Sequence, residues 1–326
     1  MNIPRRQFLQ LTAGAAALPA ATRSVFADTY PSRPVHLVVG FGAGSASDIN
    51  ARLVGQWLSD RLGQNFVIDN RAGAAGNIAT EFVTRAPADG YTLLYASTAI
   101  AINATMYAGK LSFDTVKDLA PVASVVRTPV VLEVNVDLPV KTVPEFIAYA
   151  KANPGKINVA TVGAGSLQHL VAEYFKMVTG IDIVPVHYRG AAPAITDLIA
   201  GRVQAMFDVV VSSISYLKSG KLRALALTTP TPLDLLPGIP TVGASLPGFE
   251  AGGWQGVCAP SKTPAGIIDK LNREINAALA DATLKERLAK LGGQPYVGTP
   301  ADFGKFIASE TDKWGKVVRQ AGLKSG

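Results

Sequence analysis

The chain has 326 residues, of which 48% are hydrophobic and 17% charged, with a formal net charge of +7. This length favours two domains and supplies enough apolar side chains for sizeable cores. The lysines and arginines are scattered and form no stripe with aromatic residues, which argues against nucleic acid as a partner. The single cysteine, Cys258, excludes an internal disulfide, and its apolar neighbours in sequence predict a buried structural thiol.

Residues 1–27 have the features of an export signal of the twin-arginine type. Arg5 and Arg6 precede a weakly apolar run over residues 11–21, and Val25 and Ala27 stand where a cleavage site needs small residues. The run is far shorter than the roughly 20 residues that a membrane span needs, and no later segment is long and apolar enough. We therefore predict a signal peptide, export to the periplasm and a soluble mature chain.

The next stretch predicts a strand, a glycine-rich loop and a helix. Residues 35–39 are an apolar run typical of a buried strand, and the glycines after it end the strand. From Ile49 onward, apolar residues recur at helical spacing. Such a loop leaves unpaired backbone N–H groups at a helix start, which suits an anion. Asp48 is predicted to cap this helix, with Ser45 as the alternative cap or as a ligand contact.

The four letters Gly-Ala-Gly-Ser of residues 42–45 return at residues 163–166. The second copy also follows an apolar run, over residues 157–162, and precedes a helical pattern that begins at Leu167. Two anion-receptive turns, roughly 120 residues apart, predict two similar lobes that face one ligand.

Strands and helices alternate between these turns. A strand over residues 65–69 leads into a glycine-rich turn over residues 70–77, and a strand over residues 91–96 ends beside Ser97. This alternation predicts mostly parallel sheets covered by helices. Ligands of such sheets bind beyond the carboxyl ends of the strands, where these loops lie.

The chain is expected to cross between the lobes twice. Residues 121–136 predict two strands with a crossing between them, and the proline- and glycine-rich residues 229–253 predict the return. Two tail helices are predicted, starting at Thr263-Pro264 and at Thr299-Pro300. We expect both to pack against the first lobe.

Several motifs in a fixed order make the sequence similar to a known family. They are NRAGAAGN at residues 70–77, PADGYT at 87–92, GAGSLQHL at 163–170, VHYRGAAP at 186–193 and GIPT at 238–241. Together with the opening loop and the tail helices, they resemble the Bug receptors, the extracytoplasmic substrate-binding proteins of tripartite tricarboxylate transporters. The resemblance covers the whole predicted mature chain. The first glycine-rich loop departs from the family pattern Pro-Phe-Pro/Ala-Ala-Gly-Gly, because Ser45 stands at a usual glycine.

The resemblance implies an α/β, type II-like periplasmic binding protein whose two lobes each hold a mostly parallel sheet flanked by helices. Residues 28–127 and 253–326 would form the first lobe, and residues 128–252 the second. Such a receptor is not an enzyme, uses no cofactor or metal, and closes on a small carboxylate held by backbone N–H groups from both lobes. Its partners would be this ligand and, transiently, the membrane components of the transporter. We expect a monomer.

The ligand site is predicted from this resemblance and from the strand ends. The predicted residues of the first lobe are Phe41, Gly42, Ala43, Gly44, Ser45, Asp48, Gly73, Ala74, Ala75, Gly76 and Ser97. Those of the second lobe are Thr161, Gly163, Ala164, Gly165, Ser166 and His169, with Asp208 lying deeper. The role of Asp208 stays open, since a carboxylate would repel an anionic ligand.

The main alternative is an exported dinucleotide-dependent oxidoreductase. Gly40, Gly42 and Ser45 nearly satisfy the Gly-x-Gly-x-x-Gly/Ala fingerprint, and Asp69 ends the second strand, but a lone pattern of this kind is weak evidence. A hydrolase is less well supported, because the Gly-x-Ser-x-Gly elbow is absent. His169 is expected to make a packing or polar contact in the cleft. Arg71 is expected to brace its loop.

Overall fold

The computed structural model describes residues 30–324. These residues form two β-sheets that are covered by helices. The signal peptide predicted over residues 1–27 lies outside these residues. Within the described range, no helix combines the length and the apolar character needed to cross a membrane. The predicted α/β class with two sheet-containing lobes is confirmed.

The strands are, in chain order, β1 (Val35–Val39), β2 (Phe66–Asn70), β3 (Thr92–Ser97), β4 (Leu119–Thr128), β5 (Val130–Asn135), β6 (Ile157–Thr161), β7 (Ile183–His187), β8 (Ala205–Val209), β9 (Leu222–Leu227), β10 (Gly253–Pro260) and β11 (Gln294–Pro295). The helices are α1 (Ala46–Leu62), α2 (Asn77–Thr84), α3 (Ala99–Met106), α4 (Val143–Ala152), α5 (Leu167–Thr179), α6 (Ala191–Ile199), α7 (Val210–Lys218), α8 (Ala265–Ala280), α9 (Ala282–Lys290) and α10 (Pro300–Gln320). Short 3-10 helices lie at Ala74–Gly76 and Val242–Ala244.

The first sheet, which defines the first lobe, has the strand order β11-β4-β10-β3-β1-β2. β1 pairs in parallel with β2 and β3, whereas β10 lies antiparallel between β3 and β4. The strands β1 to β4 therefore run in one direction, and their carboxyl ends meet at one edge. β1 is apolar almost throughout because helices cover both faces of the sheet, so that Leu37, Val38 and Val39 are fully buried.

The second sheet, which defines the second lobe, has the strand order β7-β6-β8-β5-β9. β6 pairs in parallel with β7 and β8, and β5 lies antiparallel between β8 and β9. Four of these five strands therefore share a direction. The carboxyl ends of β6 and β8 lie where the loop of residues 163–166 and α7 begin.

Two neighbouring segments connect the lobes. The chain leaves the first sheet at Thr128 and enters the second at Val130. It returns through residues 228–252, and this return is hydrogen-bonded to the first crossing. The Thr228 N–H donates to the Val130 carbonyl at 2.9 Å, and the Ala251 N–H donates to the Thr228 carbonyl at 3.1 Å. The backbone groups of the two connections thus satisfy one another.

The last helix, α10, joins the cores of both lobes. Trp314 is fully buried on α10, and its ring lies edge-on to Tyr174 of α5 with 6.2 Å between the centroids. The indole N–H groups of Trp254 and Trp314 both donate to Oε2 of the buried Glu310, at 3.2 and 2.8 Å. Burial of these aromatic rings, with their polar atoms satisfied, makes one hydrophobic core continuous across the lobes.

Both predicted tail helices are present, as α8 and α10, but the tail also contains a third helix that was not predicted. The additional helix, α9, is short and mostly polar, with Leu284 and Leu288 as its buried residues. The Asp281 carboxylate caps it by accepting from the Leu284 N–H at 2.9 Å. The helices α3 and α7, which follow β3 and β8 directly, were also not predicted. The prediction for Cys258 is confirmed, because the thiol is fully buried and burial raises its pKa to about 12.

Candidate functional site

A cavity of about 450 Å³ lies between the lobes, at the carboxyl ends of the first-lobe strands β1, β3 and β4. Its first-lobe wall comes from the loops after β1 and β2, from α3 and from the start of β10. Its second-lobe wall comes from the turn before α5. The lining residues are Phe41, Ala75, Ser97, Thr98, Ala99, Ile102, Asn103, Met106, Tyr107, Thr128, Ala164, Gly165, Leu167, Gly253, Trp254 and Gln255.

Five of the predicted site residues line this cavity, namely Phe41, Ala75, Ser97, Ala164 and Gly165. The structure leaves the other predicted residues outside the lining. These are Gly42, Ala43, Gly44, Ser45, Asp48, Gly73, Ala74, Gly76, Thr161, Gly163, Ser166, His169 and Asp208. The contribution of α3 was missed because that helix was not predicted. Trp254 and Gln255 could have been found, since a strand that re-enters the first lobe can begin at the ligand edge.

The first-lobe turn, residues 42–45, is hydrogen-bonded to the first turn of the helix that follows it, α1. Ser45 is the N-cap of α1 and accepts from the Asp48 N–H at 3.2 Å, so the prediction that Asp48 is the cap is wrong. Oδ2 of the buried Asp48 instead accepts from the Gly44 N–H at 2.8 Å and from Arg52 at 3.1 Å. Although burial opposes it, hydrogen bonding from Arg52, Gly44 and Asn70 holds the pKa of the Asp48 carboxyl below its usual value.

The second-lobe turn, residues 163–166, has the same design with a different partner. Ser166 is the N-cap of α5 and accepts from the His169 N–H at 3.3 Å. The Gly165 N–H donates to Nδ1 of the buried His169 at 3.0 Å, which fixes Nδ1 as the unprotonated nitrogen. Burial, aided by the nearby His187 and Lys176, lowers the pKa of His169 to about 4. His169 therefore makes a polar contact, but with the backbone of its own turn and outside the cavity lining, and it is neutral at pH 7.

The N–H groups of Gly44 and Gly165 are thus occupied by protein atoms. Two neighbouring donors differ from them. In the described part of the chain, the backbone N–H groups of Ala75 and Ala164 have no protein hydrogen-bond partner. Ala75 lines the cavity from the first lobe and Ala164 from the second. A cavity with one unoccupied backbone donor from each lobe can accept an anionic group between them.

The turn that carries Ala75 has an unusual backbone. Gly73, Ala74, Ala75 and Gly76 have φ angles of 136°, 47°, 54° and 92°. Two consecutive alanines in the left-handed region are strained and persist only where the surroundings hold them. Asn103 provides this support, because its Nδ2 donates to the Ala75 carbonyl at 2.9 Å. Strain of this kind clusters at ligand sites.

Asp208 faces the interior of the second lobe and not the cavity. It is fully buried, and its Oδ1 accepts from Nε2 of Gln168, in the first turn of α5, at 3.2 Å. Ser213 Oγ lies 3.0 Å from Oδ2 of Asp208 and 2.7 Å from Oε1 of Glu133. One hydroxyl hydrogen cannot serve both carboxyls, so one of them must carry a proton. Burial raises the pKa of both carboxyls, but Asp208 also accepts from Gln168 and from the Val209 N–H, whereas Oε2 of Glu133 has no hydrogen-bond partner among the described residues, which favours Glu133 as the protonated group.

The residues behind the alternative functions are engaged in structural contacts. Arg71 braces its loop as predicted, with Nε 2.8 Å from Oδ2 of Asp69 and its guanidinium 3.5 Å from the ring centre of Phe82. Asp69, the acidic residue of the dinucleotide alternative, is therefore paired with Arg71. Ser166 Oγ accepts a backbone hydrogen and has no bond to the His169 ring, which leaves no nucleophile–base pair there. Within residues 30–324, no group of three His, Cys, Asp or Glu residues could hold a metal ion.

Comparison with known proteins gives a consistent result. The profile of the family described as "Tripartite tricarboxylate transporter family receptor" matches residues 50–323. Protein BugT of Bordetella pertussis is 38% identical over 316 residues, covering 96% of this chain and 95% of BugT.

Two solved structures share the fold. "R. palustris Rpa4515 with adipate" has 37% identity and a TM-score of 0.71, covering 90% of this chain and 99% of that one. A TctC solute binding protein from Polaromonas has 26% identity and a TM-score of 0.83, covering 90% of this chain and 100% of that one. The resemblance predicted from the sequence is confirmed. The chain therefore belongs to the tripartite tricarboxylate transporter receptor family, whose members are periplasmic substrate-binding receptors and not enzymes.

Proposed function

We propose that this protein is exported to the periplasm, captures a small organic carboxylate between its lobes and presents it to the membrane components of a tripartite transporter. The observation that carries the proposal is the interlobe cavity, at which Ala75 and Ala164 each offer an unoccupied backbone N–H. Backbone donors at the ends of strands and the starts of helices bind carboxylates without a cationic side chain. The adipate named with Rpa4515 of R. palustris supports the same ligand chemistry.

The binding step would be closure of the lobes around the ligand. We assign residues 28–127 and 253–326 to one moving body and residues 128–252 to the other. The hinge would be the pair of hydrogen-bonded connections at Thr128–Val130 and residues 228–252. A few residues in such connections can absorb a closure that brings Ala75 and Ala164 onto one carboxylate. The closed form, as a monomer, would then be recognised by the transporter.

Calorimetric titration tests the proposal. The purified protein is titrated with monocarboxylates, dicarboxylates, tricarboxylates, amino acids, aromatic acids and nicotinate, and separately with NAD and FAD. We expect saturable binding of at least one carboxylate without turnover. Tight dinucleotide binding with every carboxylate inert would reject the receptor and favour the oxidoreductase.

A matched pair of proline variants tests the backbone donor. Ala164→Pro removes the N–H at the cavity, and Ala43→Pro makes the same change at the equivalent position of the first-lobe turn, outside the lining. Both prolines follow a glycine, which lacks the Cβ atom that clashes with a following proline ring. We expect carboxylate affinity to fall much further in Ala164→Pro than in Ala43→Pro. Equal losses, with circular dichroism showing both variants folded, would remove Ala164 from the site.

A further inference from the structure

A second cavity, of about 560 Å³, lies between α3 and the end of α10. Ala104, Thr105 and Ala108 line it from the face of α3 opposite to the interlobe cavity. The two helices are close together here, because a Cβ atom at Gly315 of α10 would lie 2.9 Å from Oγ1 of Thr105. Met106 lines both cavities, so the second cavity adjoins the interlobe cavity at this side chain.

The second cavity is basic. Lys110, Arg319 and Lys324 line it, all three are exposed, and none of the described lining residues is Asp or Glu. The same Cβ atom at Gly315 would lie 3.4 Å from Nη1 of Arg319, which places this guanidinium beside α3. Among the described residues, neither Arg319 nor Lys324 has an ion-pair partner. We call the site formed by these three cations the basic pocket.

The acidic residues nearby on α10 do not cancel this charge. Glu310 is buried and paired with Lys313. The exposed Asp312 is about two helical turns before Arg319, and the exposed Lys316 lies between them. The end of α10 therefore carries an excess of positive charge.

The interlobe cavity differs, because its wall carries no charge. None of the described residues that line it is Lys, Arg, His, Asp or Glu. Its neutral donors act on an anion at hydrogen-bonding distance, whereas the cations of the basic pocket act over about 10 Å, the Debye length at 0.1 M salt. A cleft lined by charge of one sign raises the local concentration of counter-ions and the rate of association.

We propose that the basic pocket is an encounter site for the small organic anion that the interlobe cavity binds. Lys110, Arg319 and Lys324 concentrate the anion beside Met106, at the boundary with the interlobe cavity. A guanidinium and two ammonium groups attract a carboxylate by charge and can donate hydrogen bonds to it. This inference rests on the proposed function, because it assumes that the interlobe cavity binds a carboxylate.

Stopped-flow fluorescence tests the encounter site, because Trp254 lines the interlobe cavity and reports its occupancy. The probe is adipate, which is replaced by the tightest-binding carboxylate of the calorimetric panel if adipate is inert. In the triple variant Lys110→Gln, Arg319→Gln, Lys324→Gln, we expect the association rate constant to fall about tenfold at low ionic strength. The dissociation rate constant should stay unchanged. At about 0.5 M salt the difference should disappear, because exposed charges are screened.

A second triple variant, Lys156→Gln, Lys218→Gln, Lys221→Gln, is the matched control. It removes the same charge from the far edge of the second lobe, since Lys156 and Lys221 directly precede β6 and β9 and Lys218 ends α7. We expect its association rate constant to change less than about twofold.

Three outcomes would contradict the inference. Equal loss in both variants would assign the effect to net charge, and an unchanged association rate constant in the first variant would remove the basic pocket from ligand capture. A change confined to the dissociation rate constant would assign the three cations a structural role. All three outcomes leave the receptor function standing, whereas failure of every carboxylate to bind the unchanged protein would overturn the proposed function itself.

Discussion

The Gly-Ala-Gly-Ser turns of the two lobes share their capping hydrogen bonds but differ in the side chains around them and at their first glycine, since Gly163 has a φ angle of 133° and Gly42 does not have a positive φ. The glycine before each capping serine has a φ angle of 81° at Gly44 and 75° at Gly165. Each of these glycines donates its N–H to the side chain four residues later, which is Asp48 in the first lobe and His169 in the second. Each serine accepts from the backbone of that same residue.

The comparison shows that a repeated motif can keep its capping hydrogen bonds while its contact with the cavity changes. In the first-lobe turn, a carboxylate occupies the glycine donor and pairs with Arg52, and none of residues 42–45 lines the cavity. In the second-lobe turn, a neutral imidazole occupies the donor, and Ala164 and Gly165 reach the cavity. Of the two turns, it is therefore the second-lobe turn that offers backbone atoms to a ligand in the cavity.

The largest expected effect is a difference in ligand affinity between matched glycine substitutions in the two turns. A Cβ atom at Gly165 would lie 3.2 Å from the Met106 Cε across the cleft, whereas at Gly44 it would have nothing within 4 Å. Gly165→Leu should therefore weaken carboxylate binding by about 100-fold, or about 2.7 kcal/mol. Gly44→Leu should leave binding far less affected. Calorimetric titration of both variants measures this contrast.

The two leucine variants control for each other, because both glycines have positive φ. Each substitution should cost about 1–2 kcal/mol of folding free energy from backbone strain, which urea unfolding would detect. Equal loss of binding in both variants would mean that strain, and not the position of Gly165 at the cavity, caused the loss.

The features that the two turns share could be predicted from the sequence better than the features in which they differ. Strand–loop–helix order and the repeated motif depend on local patterns, so the two turns and their strands were predicted correctly. The role of Asp48 was not, because N-cap preferences rank Asp and Ser alike, and the choice depends on Arg52 and Asn70 approaching from elsewhere. The cavity wall from α3 depends on how two lobes meet, which no local pattern encodes.

A second expected effect is that the two turns change the stability of the fold over different pH ranges. The folded pKa of His169, about 4, lies below its unfolded value of about 6.5. The unfolded chain therefore binds the proton first, and stability is lost as pH falls from 6.5 through 4. Between pH 7 and pH 5 this should lower the free energy of unfolding by about 2 kcal/mol. Urea unfolding at both pH values measures the change.

His169→Asn provides the control for this pH effect. An asparagine oxygen can accept from the Gly165 N–H but does not titrate, so the loss between pH 7 and pH 5 should shrink. A wild-type slope retained in His169→Asn would assign the pH dependence to other groups.

In the first-lobe turn, the titrating group is Asp48, and its protonation affects stability at a more acidic pH. The folded pKa of Asp48 is lowered below its unfolded value of 3.8, so its contribution is present above that value and lost as pH falls further. Asp48→Asn should cost about 1–2 kcal/mol at pH 7, because the bonds to Gly44 and Arg52 lose their charge. The cost should be the same at pH 5. A cost that disappears at pH 5 would contradict the assignment of Asp48 as a low-pKa brace.

The smallest expected effect concerns the feature that the turns share. Ser45→Ala and Ser166→Ala each remove an N-cap hydrogen bond, of 3.2 Å to the Asp48 N–H and 3.3 Å to the His169 N–H. Each should destabilise the fold by about 1 kcal/mol, as measured by urea unfolding at pH 7. Because both serines make the same kind of N-cap hydrogen bond, the two losses should agree within about 0.5 kcal/mol. A loss confined to one serine would show that two capping bonds of similar length differ in energy, and that the residue three positions after the serine determines how much the cap contributes.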